Sequence, residues 1–315
     1  MQNLILAFNV VFPLFLMMVI GYIIRNKNLA DDHSLDVMNR LIFRVFMPIL
    51  LFRNIITLEL AEALNINNLK LLLLATIATI AIAVFSAILL RQFVKEKSKC
   101  SVIIQGIFRS NLLLFGVTIS ASIYGEGNIG VVSLLSAFLV PLYNVMAVSL
   151  FEMYRGEKIN LKKILVSIIR NPLILSSALA IVCVLFNISI PEILESPTKS
   201  LSQITTPLAF IVLGGTFHFH KLSKNITYLL LTSIGKLVLM PAIIFIIAYC
   251  MGFRNEAMAA LLGSAAAPTA VSSFTMAKEM GGDGELAGQI VVVTSIFSIL
   301  TIFLWVFGLK TAGLL

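Results

Sequence analysis

Stretches long and apolar enough to cross a bilayer follow one another along the whole chain, near residues 4–24, 36–56, 69–93, 101–122, 129–151, 164–186, 200–217, 226–250, 256–280 and 286–308. A spanning helix needs about 20 apolar residues, and hydrocarbon offers the backbone no partners, so such stretches close their own hydrogen bonds as helices. The spacing predicts ten transmembrane helices and leaves no room for a soluble domain between them. With 59% of residues hydrophobic and 12% charged, the chain lies far from the soluble balance of roughly half apolar and a quarter charged. The first stretch has no basic leader before it and no small-residue cleavage site after it, so it reads as a retained helix and not a signal peptide.

Orientation follows from Lys and Arg, which gather in short cytoplasmic loops. With the N-terminus outside, 15 of the 23 fall in inward loops, five (Arg53, Lys70, Lys199, Arg254 and Lys310) in outward loops and ends, and three (Arg44, Arg109 and Lys236) within spans. Arg44 is expected to snorkel inward with Arg40. Both termini therefore face outward in a multi-pass protein of the cytoplasmic membrane. The net charge of +8 is accounted for by topology and by anionic membrane lipid, and no nucleic-acid partner is expected.

A shift of 159 places Pro13 on Pro172, Pro48 on Pro207 and Gly125 on Gly284. Two halves of five spans follow, residues 1–155 and 156–315, with the boundary in the basic loop near 154–163. Because five is odd, the second half enters the membrane from the opposite side, an inverted repeat of the kind found in secondary transporters. The fold class is an all-α polytopic membrane protein.

The stretch GSAAAPTAVSSF, residues 263–274, sets Pro268 in the middle of the ninth span. An interior proline costs a helix about 3 kcal/mol and frees a carbonyl, which is tolerated at membrane depth only where protein or water covers it. Gly263, Ser264 and Ala265 to Ala267 leave room for a second backbone, while Thr269, Ser272 and Ser273 bring hydroxyls. The matching span of the first half holds RSNLLLFG, residues 109–116, with Asn111 near the membrane middle. These features fit two interrupted helices, the fourth and ninth, crossing at mid-membrane.

NRLIFRVFMPILLF (39–52), RSN with Gly116 five residues on, TPLAFIVLGG (206–215), KLVLMP (236–241) and AAAPTAVSSF together resemble the auxin efflux carrier family of membrane transporters, whose bacterial members include malonate- and malate-associated carriers. The resemblance covers nearly the whole chain. It implies ten helices in two inverted repeats, often dimeric, with the substrate where helices four and nine cross. Carried onto this sequence, it implies substrate contacts at Asn111, Ser110, Pro268, Thr269, Ala270, Pro48, Leu51 and Gly214. Leu113 and Thr118 stand where the family places a glycine and a proline, so the resemblance does not itself carry a break in the fourth helix.

Lys236 and Arg109 lie deep in spans, where a cation costs roughly 2.5–3.5 kcal/mol on insertion scales, and no Asp or Glu lies in a span core to pair them. A wet vestibule, carbonyls freed by the breaks, or a substrate carboxylate would each account for them, and Ser272 and Ser273 share this candidate charge or ion role. The missing carboxylates argue against a cation antiporter, and against an aspartyl intramembrane protease, so no enzyme is expected. His33, His218 and His220 fall in loops, and Cys100, Cys183 and Cys250 lack metal or disulfide spacing, so no metal and no cofactor is expected.

The function expected is a carrier moving a small organic anion, a carboxylate, by alternating access, with the half-helix N-termini and Asn111 facing the anion. The first two spans of each half, hinged at Pro48 and Pro207, form a scaffold or flank the site. Coupling to protons or sodium stays open. The alternatives are a sodium-coupled organic-anion symporter of bile-acid-transporter-like fold, a channel, or a membrane receptor.

Overall fold

The computed structural model describes residues 2–57, 65–125, 129–156, 160–218 and 222–315, with side chains from Phe8 on apart from Val10. Lys158 and Lys221, two of the inward-loop cations, and His220 lie outside the described residues, as does part of the expected boundary loop.

Every described element is helical. The chain runs through α1 (Gln2–Asn26), α2 (Asp32–Leu41), α3 (Met47–Ile56), α4 (Ile66–Phe93), α5 (Lys97–Phe108), α6 (Val117–Tyr124), α7 (Gly130–Arg155), α8 (Leu161–Arg170), α9 (Pro172–Leu185), α10 (Glu192–Gly215), α11 (Leu222–Ile234), α12 (Met240–Cys250), α13 (Glu256–Ala265), α14 (Ser272–Met280) and α15 (Gly284–Thr311). Single wide turns of π-helix join α2 to α3 (Ile42–Phe46), lead into α6 (Leu112–Gly116) and join α11 to α12 (Gly235–Leu239). Pro48 and Pro241 each stand at the start of the helix after such a turn, where a missing N–H is harmless.

Among the described residues, four helical stretches are long and apolar enough to cross a membrane: Ile66–Phe93, Gly130–Arg155, Leu222–Cys250 and Gly284–Thr311. The pair α8 and α9, bent by 61° at Asn171, makes a fifth if taken as one span. Asn171 explains the bend, since its side chain accepts from the Leu173 and Ile174 amides and caps a new helix that opens on Pro172. The other predicted stretches are also helical: the first lies within the continuous α1, and the rest are shorter, interrupted or more polar.

Polar side chains cap the helix starts. Asp31, Asn65, Asn160 and Asp283 each accept from a backbone N–H three residues on.

Two packed groups organise the chain. In the first, α1 lies along α10 and α3 along α9, with α3 and α10 also in contact. Gly21 and Gly214 set the first of these approaches, since a Cβ on either would run into the backbone of the facing helix. Arg53, expected in an outward loop, instead ends α3 buried, donating to the Glu195 carboxylate at 2.6 Å and to Thr198 at 2.8 Å on α10. Pro207 lies within a continuous α10, so the hinge expected there is not a break in the helix. Arg40 and Arg44 are both exposed. The second group gathers α4 to α7 and α11 to α15 around the breaks between α5 and α6 and between α13 and α14.

Candidate substrate site

Helix α5 ends at Phe108, and Arg109 and Ser110 leave it extended. Helix α13 ends at Ala265, and α14 begins at Ser272. The two breaks pair as a minimal antiparallel ladder centred on Ser110 and Thr269. The Asn111 amide donates to the Pro268 carbonyl at 2.9 Å, and the Ala270 amide donates to the Arg109 carbonyl at 3.3 Å. Backbone groups that four helix ends leave without intrahelical partners are thereby satisfied by each other in a buried place. Ser110 and Thr269 stand 159 residues apart, the separation at which the sequence repeats.

Side chains complete the junction. The Thr269 hydroxyl donates to the Gly106 carbonyl at 2.7 Å, and its amide donates to the Thr294 hydroxyl at 3.2 Å. The Ser110 hydroxyl donates to the Ser264 carbonyl near the end of α13. Close approach is possible because α13 is small there: a Cβ on Gly263 would run into the backbone of Gly116.

Lys236 is fully buried in the π-turn between α11 and α12 and reaches this junction. Its Nζ donates to the Ser110 hydroxyl, to the Ala265 carbonyl at 3.2 Å and to the Met240 sulfur at 3.4 Å. A carbonyl at a helix break is thus one partner of this ammonium. The ammonium sits at the C-terminal end of α13, where the helix dipole favours a cation.

Arg109 is buried too, at 3% exposure. It donates to Ser272 Oγ at 3.2 Å, Met276 Sδ at 2.9 Å and Asn144 Oδ1 at 2.7 Å. All three acceptors are neutral, and among the described residues no carboxylate pairs with either buried cation.

A cavity of about 370 Å³ opens beside the paired breaks. Arg109, Ser110, Asn111, Ala270 and Ser272 line it, as do Leu51 and its neighbours Met47, Leu50 and Asn54 from α3. Tyr143 and Val140 of α7 and Thr205, Thr206 and Ala209 of α10 close it. The N-terminal ends of α14 and of the turn Leu112–Gly116 both reach this cavity, so two positive dipole ends lie at one place.

The sequence-derived residues divide accordingly. Pro268 and Thr269 build the junction without lining the cavity, Lys236 lies behind it, and Pro48 starts α3 one turn from Leu51. Ser273 is buried with its hydroxyl unpaired, and Gly214 packs α10 onto α1 away from the cavity. Asn54, Tyr143, Thr206 and the Asn144 that holds Arg109 are additions. Their signal was present as polar groups inside apolar stretches.

A helical chain with several membrane-crossing stretches, enclosing a cavity walled by backbone breaks and a buried cation, is a membrane transport protein in its architecture. The family model described as membrane transport protein matches residues 6–306, and the chain belongs to that family, the family of the auxin efflux carriers. Uncharacterized transporter MJ1031 of Methanocaldococcus jannaschii is 21% identical over 304 residues, covering 94% of this chain and 97% of that one.

Proposed function

We propose that the protein is a carrier that moves a small organic anion, a carboxylate, across the cytoplasmic membrane by alternating access. The observation that carries this reading is Arg109: a buried guanidinium lines the cavity at the paired breaks with only neutral partners. A buried cation without a counter-ion favours an anionic guest, and the two helix N-termini beside it add to that field without burying further charge. The carboxamide of Asn111, on the cavity wall and without a side-chain hydrogen bond among the described residues, supplies a neutral donor.

Two contacts support the reading of ten spans in two inverted repeats. Ser110 pairs with Thr269, and the Thr205 hydroxyl donates to the Phe46 carbonyl at 3.1 Å, both across separations of 159 residues. A pseudo-twofold axis relating the halves would bring matching positions together in this way. In this reading the group built on α1, α3, α9 and α10 is the scaffold, and the paired breaks move with the second group. The Asp36–Lys278 ion pair at 2.5 Å and the Asn39–Glu279 hydrogen bond at 3.1 Å join the two groups at the end the charge distribution assigns to the cytoplasm. They would close that side.

The test is a thermal-shift screen of purified protein against mono- and dicarboxylates, with malonate, malate and indole-type acids included. A ligand at 100 times its Kd stabilises by about 2.7 kcal/mol, enough to read. Asn111→Ala is expected to weaken a stabilising anion by about tenfold or more, the loss of one hydrogen bond to a charged group of about 1.5–3 kcal/mol, with the ligand-free midpoint unchanged. Failure of every carboxylate to stabilise, or an unchanged affinity in both Asn111→Ala and Arg109→Gln, would remove the site from this cavity.

A further inference from the structure

On the side away from the paired breaks, α4, α5 and α7 enclose a second pair of cavities that meet. One, of about 650 Å³, is an apolar groove running along the helices, lined by Ile80, Val84, Ile88, Ile104, Phe108 and Met146 among others. The other, of about 220 Å³, lies at the groove's end and is edged by Arg91, Lys95 and Lys97. Arg91, Met153 and Tyr154 belong to both, so the space is continuous from a basic mouth into an apolar channel.

We propose that this is a binding site for an anionic phospholipid, with its headgroup phosphate at Arg91 and Lys95 and an acyl chain in the groove.

Charge complementarity selects this occupant. Among the described residues, Arg91, Lys95 and Lys97 pair with no carboxylate, whereas the neighbouring Lys99 is held by Glu96 at 2.8 Å. Lys97 donates to the Gly156 carbonyl at 2.8 Å and so fixes the rim between the start of α5 and the end of α7. An apolar body with a few polar groups gathered at one end matches a molecule with the same division, and basic pockets between helices at a cytoplasmic surface take anionic headgroups. Free phosphate would use the mouth and leave the groove bare, so the lipid is the occupant that uses both. The groove also shares a wall with the substrate cavity: Phe108 lines the groove, and its ring centroid lies 6.3 Å from that of Tyr143, which lines the cavity.

The test is native mass spectrometry of the full-length, delipidated protein titrated with phosphatidylglycerol or phosphatidylcholine of identical chains. Phosphatidylglycerol is expected to bind more tightly by at least tenfold. Each cation near an anionic headgroup contributes about 1 kcal/mol, or about fivefold, so Arg91→Gln with Lys95→Gln lowers phosphatidylglycerol binding about 25-fold, to the level of phosphatidylcholine. Retained phosphatidylcholine adducts show that this variant is folded. Val84→Trp, filling the groove from an exposed position, is expected to lower the binding of both lipids. Lys162→Gln with Lys163→Gln, on basic residues of α8 outside both cavities, is expected to change nothing. Equal binding of the two lipids, a preference that survives the Arg91 and Lys95 changes, or a preference lost equally in the α8 control would overturn the proposal. So would competition by glycerol phosphate alone at the lipid's own concentration, which would make the mouth a plain phosphate site.

Discussion

Replacing Lys236 with Met tests whether a buried ammonium holds the two breaks together. Methionine has nearly the same length and no charge, so little of the packing changes. What goes is the set of bonds from Nζ to the Ser110 hydroxyl and the Ala265 carbonyl, together with the cation at the end of α13. Two hydrogen bonds from a charged donor contribute about 1.5–3 kcal/mol each. The helix-end interaction adds about 0.3–1 kcal/mol. Against these stands the cost of keeping a cation at membrane depth, roughly 2.5–3.5 kcal/mol, which the substitution removes. The difference is a net loss of about 2 kcal/mol, or a midpoint lower by about 4 °C in a chain of this size. The protein carries its own reporter, because Trp305 is its single tryptophan and its indole N–H donates to the Leu237 carbonyl at 2.9 Å, one residue from Lys236. Thermal unfolding followed by Trp305 emission in detergent therefore reads the affected turn. Lys236→Met is expected to melt a few degrees early and to lose transport, while Lys224→Met, at an exposed position of α11, melts with the parent. A Lys236→Met protein that melts at or above the parent would refute the argument, since burial of the charge would then outweigh every bond it makes.

Pro268→Ala is expected to leave the break in place and transport within tenfold of the parent, because four hydrogen bonds from Asn111, Ala270, Thr269 and Ser110 hold the segment open; amide exchange showing an unbroken helix over residues 256–280 would contradict this. Arg53 holds the Glu195 carboxyl below its ordinary value of 4.5 through their hydrogen bond, so this pair stabilises the fold fully above pH 4.5 and less as pH falls through the lowered value. The melting midpoint of Arg53→Gln should accordingly fall less than that of the parent on acidification below pH 4.5, and parallel curves would count against the linkage. In a variant without Cys100, Cys183 and Cys250, a cysteine at Glu192 should react with an impermeant maleimide in intact cells and one at Lys163 should not; labelling of the Lys163 position would reverse the orientation.

Much of the helical layout was legible because hydrophobic length and loop charge are local properties. Each of the ten apolar stretches is helical in the structure, and the small residues around Pro268 announced a break. The break at Arg109 to Asn111 was harder to read, since Leu113 and Thr118 replace the residues that would disrupt a helix locally. It is held open from outside, by Pro268, Ala270 and Thr269, and a bond between residues about 159 apart leaves no local mark. The partners of the buried cations were hidden for a similar reason. Met240 and Met276 look like core residues, and Asn144 sits in a span that drew no attention beside Pro268. Gly214 lies in a motif of the family, and here its backbone serves the packing of α10 on α1.

The central claim is that the cavity at the paired breaks carries an organic anion across the membrane. Uptake of a radiolabelled carboxylate, chosen from those that stabilise the purified protein, into proteoliposomes tests it directly. The account predicts saturable uptake, faster exchange when the same anion is loaded inside, and loss of both in Arg109→Gln reconstituted to the same density. Flux that rises linearly with concentration, or that is no greater than in empty liposomes, would contradict it.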